Sequence, residues 1–254
     1  MAAKFDSLKG KKVLITGSSR GIGKALAIAF AQNGADVAIH GVSPSKTINK
    51  TYEEVVSLGV RTVKLYGDLG DDAVPKRLIE EATESLGGVD ILVLNASVQI
   101  RKPWLQVDTE DMLIQTKTNL FSAVKLIQAA VPYMEENGWG RVVVIGSTQQ
   151  CKPHPDMLIY SAIKSALRNI VLSLAQQLAC KNITVNNVAV GTIYTDRNTE
   201  ALSDDEYHTK VKNDIPVKFI GEPEDCVAGV LMLSSEEGRY ITGEDLHIDG
   251  GKFM

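Results

Sequence analysis

Cysteine is scarce in this chain, which has three among 254 residues: Cys151, Cys180 and Cys226. An odd number, so widely spaced, makes neither a disulfide framework nor a metal-ligand pattern, and it suits a reducing compartment. No metal site is expected, and Cys151 reads as a small loop residue. Positive charge is not in excess either. Twenty-seven Lys and Arg against 31 Asp and Glu leave a net charge of −4, so there is no electrostatic case for nucleic acid or an anionic membrane surface. No run approaches the ~20 consecutive apolar residues that cross a bilayer, and residues 1–6 carry no apolar leader core. Repeats, low-complexity tracts and linkers are missing. The expectation is one domain over residues 1–254, cytoplasmic, acting on a small molecule.

What is present is an alternation of short apolar runs and amphipathic stretches, which predicts a parallel sheet covered by helices on both faces. Residues 12–16, 36–40, 60–66, 89–94, 141–146, 183–191 and 245–248 read as strands. Helices are predicted at about 24–32, 52–58, 73–86, 108–120, 122–136, 158–180 and 224–233. Residues 192–216 turn polar and charged, with a helical pattern only at 203–211, and read as a mobile lid at the ligand edge.

The first strand runs into Gly17-Ser18-Ser19-Arg20-Gly21-Ile22-Gly23 and then a helix. Glycines there let the backbone turn tightly and approach a pyrophosphate, and the helix N-terminus offers free N–H groups and a positive dipole end. The second strand ends at His40-Gly41-Val42-Ser43 with no acid to hold a ribose 2′-hydroxyl. Arg20 and Ser43, with Lys46 as a further candidate, could instead hold a 2′-phosphate, so the pattern favours NADP over NAD. Asp68 ends the third strand on the same edge, where it could bond adenine or cap the next helix. Asn119 lies mid-helix among apolar neighbours, which is unfavourable unless it bonds something.

The stretch Ser147–Lys164 concentrates the chemistry. Tyr160 and Lys164 are four apart, one turn apart on one helix face, and Ser147 stands where the fifth strand runs out. A free tyrosine has a pKa of about 10, too high for a base at neutrality. Bringing it near 7 takes about 4 kcal/mol, which one charge at ~4 Å supplies at an effective dielectric of ~20. Lys164 is the candidate charge, and Ser147 could bond the substrate oxygen while Tyr160 moves the proton.

These residues together resemble the short-chain dehydrogenase/reductase family over nearly the whole chain. The likeness rests on Thr16-Gly17-x-x-x-Gly21-Ile22-Gly23, Asn95-Ala96, Asn119, Ser147 with Tyr160 and Lys164 at the family spacing, and the closing Thr242-Gly243 and Asp249-Gly250-Gly251. The resemblance implies a single doubly wound Rossmann-like α/β domain with a seven-stranded parallel sheet, and reversible hydride transfer between NAD(P) and an alcohol or carbonyl. It implies Tyr160 as acid/base, Lys164 as its activator and ribose ligand, Ser147 as the orienting hydroxyl, and Asn119 supporting a relay water. The cofactor would then lie along Gly17, Ser19, Arg20, Gly21, Ile22 and Gly23, along His40, Ser43, Asp68 and Leu69, and along Asn95, Ala96, Tyr160, Lys164, Gly191, Ile193 and Thr195. Family members pair as tetramers or dimers through helices at about 108–136 and 158–180. Two departures stand out: Ser97 replaces a glycine after Asn95-Ala96, and Val190 replaces the proline before Gly191.

The loops after the fourth, fifth and sixth strands should wall the substrate. They bring Gln99, Arg101, Gln149, His154 and Tyr194, with Lys102, Trp104 and Gln150 nearby, a polar set similar to that of sugar-acid members such as gluconate 5-dehydrogenases. A 3-oxoacyl-carrier-protein reductase or general carbonyl reductase is the rival enzyme reading, with Lys102 and Lys152 facing an acidic carrier. A non-catalytic NADP-binding sensor or scaffold is the rival of another class.

Overall fold

The structure is a computed structural model and describes residues 4–254; the part of the leader expectation that falls on Met1–Ala3 lies outside the described residues. Seven strands form one all-parallel sheet: β1 Lys12–Ile15, β2 Asp36–Gly41, β3 Thr62–Tyr66, β4 Ile91–Leu94, β5 Gly140–Ser147, β6 Ile183–Val190 and β7 Asp245–Ile248. Their order is β3-β2-β1-β4-β5-β6-β7, the sheet the resemblance implies. Alternation along each strand feeds two cores. Leu14, Val142 and Val144 face one side, against α3 (Val74–Leu86), α5 (Ser122–Glu136) and α6 (Leu158–Leu178). Val13, Ile15, Val143 and Ile145 face the other, against α1 (Gly21–Gln32), α2 (Lys46–Val56) and α9 (Val227–Ser234). Strands buried on both faces are why the runs read as continuous apolar segments.

The order reverses between β1 and β4, which are hydrogen-bonded neighbours although far apart in sequence. Chains leaving their carboxyl ends diverge to opposite faces, and the crevice between them is where doubly wound sheets bind ligands. The glycine loop leaves β1 at that point and Asn95 leaves β4 beside it.

Three elements depart from expectation. Helix α2 begins at Lys46, six residues early, because Ser45 caps it by accepting from the Ile48 N–H, a cap whose signal lies outside the apolar periodicity. The helix predicted over 108–120 is α4, Thr109–Thr116, followed by a π-helical turn, Lys117–Phe121, that contains Asn119. The segment predicted as a lid holds two helices, α7 (Asp196–Leu202) and α8 (Asp205–Asn213), packed on an apolar cluster of their own: Leu202, Val211, Ile215 and Ile220 with Tyr194 and Tyr207. Helix α6 is long and apolar enough to cross a membrane; in this fold it covers the sheet and carries the buried Tyr160 and Lys164.

Candidate active site

The glycine loop is held by side chains from three strand ends. Thr16 Oγ1 accepts from the N–H groups of Asn95 and Ala96, each at 3.0 Å. Asn95 Nδ2 donates to the carbonyls of Thr16 and Gly17 at 2.9 and 3.0 Å. Gly17 has φ +63°, and a Cβ there would stand 2.9 Å from Ala96 Cα. A Cβ on Gly23 would stand 2.5 Å from the Gly17 carbonyl oxygen and 2.6 Å from Asn95 Nδ2. Both positions require glycine for close approach, one at the turn and one where the helix packs on it.

His40 completes the clamp. Gly17 N–H donates to its Nδ1 at 3.1 Å, and its Nε2 lies 3.0 Å from the Gly67 carbonyl. Because Nδ1 must accept, the proton is assigned to Nε2, which donates to Gly67. Burial pushes the ring's pKa down to about 4, against a smaller opposing effect of the Gly67 carbonyl. His40 was expected beside the cofactor; it does line the cleft, but both ring nitrogens are committed to backbone.

A cleft of about 320 Å³ runs over this loop. It brings together Gly17, Ser19, Arg20, Gly21, Ile22, His40, Asp68, Leu69, Asn95, Ala96, Tyr160, Lys164 and Thr195 from the expected cofactor set. Gly23 is buried beneath it. Ser43 does not join: it is exposed on the loop after β2, outside the lining. Asp68 accepts from the Gly70 N–H at 2.8 Å and does not cap α3, whose N-cap is Ala73. A second cavity of about 180 Å³ adjoins and holds Gly191, Ile193, Gln99, Arg101, Gln149 and His154. Tyr194 is placed elsewhere: its hydroxyl bonds His208 Nε2 within the lid. Gln150 is also withdrawn, donating from Nε2 to both Asp245 oxygens at 2.8 Å. Lys102 is engaged by Asp111 and Asp108.

Tyr160 lines both cavities, Ser147 lines only the second and Lys164 only the first. Lys164 is 4% exposed, and its Nζ donates to the Ile145 carbonyl at 2.7 Å and stands 5.5 Å from the Tyr160 ring centroid. Burial lowers the ammonium's pKa, the charge of Tyr160 opposes that, and Arg197 adds to it. Ser147 Oγ accepts from Gln149 N–H at 3.2 Å, which leaves its own O–H to donate. Asn119 uses both polar atoms on one residue: Val98 N–H donates to Oδ1 and Nδ2 donates to the Val98 carbonyl, each at 2.7 Å. The π turn, a local widening that often marks functional sites, brings that side chain round to the loop after β4.

Three lining cations stand in roles that the sequence does not announce. Arg20, expected at a 2′-phosphate, is ion-paired to Asp196 at 3.1 Å with both side chains exposed. Arg197 donates from Nη2 to the Ser97 carbonyl and Oγ at 2.7 and 2.9 Å and lines both cavities. Lys252, near the C-terminus, reaches the second cavity and donates to Thr192 Oγ1 at 2.8 Å. The polar composition of the lid was the only sequence signal for Arg197.

A glycine-loop crevice at the switch point of a parallel sheet, opening on a phenol flanked by a buried ammonium and a hydroxyl, defines a dinucleotide-dependent α/β oxidoreductase. Comparison with known proteins is specific. The family described as enoyl-(acyl carrier protein) reductase matches residues 17–252. Glucose 1-dehydrogenase of Gluconobacter oxydans is 37% identical over 247 residues, 97% of this chain and 93% of that protein. Among solved structures, a 3-oxoacyl (acyl-carrier-protein) reductase of Agrobacterium tumefaciens with NADP bound is 37% identical. It superposes with a TM-score of 0.92 and covers 97% of this chain and 96% of its own. A protein of Beutenbergia cavernae put forward as an NAD(P) dependent gluconate 5-dehydrogenase, with NADP at low occupancy, is 29% identical with a TM-score of 0.92 over 97% and 98% of the two chains. This chain belongs to the short-chain dehydrogenase/reductase family, enzymes that act on alcohol and carbonyl groups.

Proposed function

We propose that the chain is an NADP-dependent oxidoreductase of a secondary alcohol or carbonyl in a sugar or sugar acid, similar to gluconate 5-dehydrogenase. The observation that carries the proposal is the position of Tyr160, shared by the two cavities with Ser147 on one side and Lys164 on the other. Bound nicotinamide supplies the hydride chemistry. The glycine cradle fits it: Gly17 and Gly21 line the cleft with no side chain to hold a pyrophosphate off the backbone, and a Cβ on Gly17 would collide with the Ala96 backbone. The protein handles the proton. Tyr160 lines both cavities, so its Oη can take the proton from a substrate hydroxyl or return it to a carbonyl. Ser147 donates to the same oxygen. Lys164 is anchored on the Ile145 carbonyl with its Nζ beside the phenol, where an ammonium favours the phenolate. Asn119 positions the loop after β4, and its second Nδ2 hydrogen, its second Oδ1 lone pair and its main chain are left for a relay water.

The choice of NADP is supported by the acid-free end of β2, by Arg20 at the cleft, and by the NADP-bound neighbours. The choice of a sugar acid is supported by two donors that face each other. The Asp156 N–H donates to His154 Nδ1 at 3.1 Å, so the proton is assigned to Nε2. Arg101 Nη2 stands 3.4 Å from that Nε2, and an oxygen-rich anion satisfies both. Exposed Leu113, Ile114, Phe121, Leu158 and Leu172 support pairing of copies through α4–α6, a dimer or tetramer that light scattering would detect.

A 3-oxoacyl-carrier-protein reductase is the second reading, favoured by the likeness to the A. tumefaciens reductase. NADP⁺ with a panel of polyols and aldonates, and NADPH with 3-oxoacyl thioesters, separates them. Turnover of aldonates at kcat/KM above the thioesters supports the first reading; turnover confined to thioesters replaces it with the second. An inert protein whose biological role survives Tyr160→Phe would instead be a scaffold.

A further inference from the structure

We infer that Arg197 sets the preference for anionic over neutral substrates, leaving its seat on Ser97 to bind the substrate's carboxylate as the lid closes. The inference rests on the sugar-acid reading and names the residue that enforces it. Arg197 is the second residue of α7, on the lid, and its guanidinium lines both cavities where they meet at Tyr160. Arg20, which lines the first cavity, is paired with Asp196. Among the described residues, Arg101, Arg197 and Lys252 have no carboxylate within ion-pair distance; their side-chain nitrogens stand against His154, Ser97 and Thr192. All three line the second cavity, which no Asp or Glu lines. The second cavity of a chain of net charge −4 is thus lined by three cations and no acid.

The seat itself explains a departure from the family pattern. Ser97 stands where a glycine was expected, and its hydroxyl accepts from the same Nη2 that its carbonyl does. Two neutral acceptors hold a guanidinium in place but do not neutralise it. A carboxylate offers the planar, charged, two-oxygen partner that a guanidinium matches best. Exchanging the first for the second gives the ligand its differential affinity for the closed lid, the condition for a ligand to shift a conformational equilibrium. The charge of Arg197 is also felt at Lys164, so an anion bound at Arg197 relieves a like-charge repulsion at the reacting centre.

Calorimetric titration of the NADP-loaded protein with D-gluconate and with sorbitol, its uncharged six-carbon counterpart, tests this. The wild type is expected to bind gluconate at least about 10-fold more tightly than sorbitol, and Arg197→Gln to cut that ratio by about 10- to 100-fold, the range for losing a charge-assisted hydrogen bond. Arg197→Lys should recover part of it. Three results overturn the inference: no preference for gluconate in the wild type, an unchanged ratio in Arg197→Gln, or a loss of NADP affinity in that variant as large as the loss for gluconate, which would assign Arg197 to the cofactor. Arg197-dependent gluconate binding without hydride transfer would support the inference and remove the sugar-acid dehydrogenase reading; oxidation of polyols with no charge preference would do the reverse.

Discussion

The glycine loop and the lid face each other across one cleft and are built on opposite terms. In the loop, polar groups are paired to backbone from neighbouring strands: Thr16, His40 and Asn95 bridge β1, β2, β3 and β4, and a Cβ at Gly23 finds no room. The lid has a small apolar cluster separate from the two main cores. It meets the loop through an exposed ion pair, Arg20–Asp196, and meets the β4 exit through Arg197 on Ser97. The first arrangement is preorganised and loses little on binding. The second consists of contacts weak enough to exchange. An invariant cofactor and a variable substrate call for that division.

The sharpest break of the comparison falls where the halves meet. Tyr160→Phe removes the hydroxyl that both cavities share, the proposed proton-transferring group, and leaves the loop intact. A loss of about 10³–10⁴-fold in kcat is expected, within the range of general acid–base catalysis, with NADPH affinity within a few-fold of wild type by fluorescence titration. A variant retaining a tenth of wild-type kcat would move the chemistry elsewhere.

The loop should show the burial of His40 as a pH effect on stability. Unfolded, His40 titrates near 6.5; folded, near 4. Between those values the unfolded chain holds more protons, so stability is full above about pH 6.5 and falls as pH drops toward 4. The slope is up to about 1.4 kcal/mol per pH unit, and the total about 3 kcal/mol. Denaturant melts of wild type and His40→Asn across that window should differ in slope by about this amount, the variant being less stable at pH 7 and flatter below it. Parallel profiles would mean that the ring is not held neutral.

Gly23→Ala tests the packing of the same loop. Its methyl would meet the Gly17 carbonyl at 2.5 Å and Asn95 Nδ2 at 2.6 Å, so one of the two loop anchors must move. Overpacking of this kind costs about 1–3 kcal/mol, read in the same melts, and NADP affinity should fall with it.

The two halves also differ in how plainly the sequence announced them. All seven strands, the sheet and the loop–helix entry were legible, because residues such as Val142–Ile145 are apolar on both faces and glycine spacing has a steric cause. The placing of Lys164 and Ser147 in the two cavities that share Tyr160 follows from helix geometry and a strand end. What escaped was set by tertiary contact. His40 resembled a cofactor ligand until the Gly17 N–H and the Gly67 carbonyl claimed its ring. Asn119 was marked as anomalous, but its target, Val98, lies on a loop brought there by the fold. Tyr194 was assigned to the pocket although His208, fourteen residues on, takes its hydroxyl into the lid. Arg197 sat in a polar segment with nothing to distinguish it, since which cations go unpaired is decided by three-dimensional placement.

The smallest expected effect bears on the one pair that joins loop to lid. Arg20 and Asp196 are 65% and 63% exposed, and exposed pairs contribute at most about 1 kcal/mol. Asp196→Asn should therefore leave the melting transition almost unchanged. Its consequence lies in cofactor choice: with Asp196 neutral, Arg20 is free for a 2′-phosphate, and the ratio of NADP to NAD affinity should rise by a few-fold. Arg20→Ala should lower the same ratio by about 10-fold or more, the magnitude of a lost charge-assisted contact. If both substitutions leave the ratio where it was, Arg20 serves the lid alone, and preference for the phosphorylated cofactor must come from the acid-free end of β2.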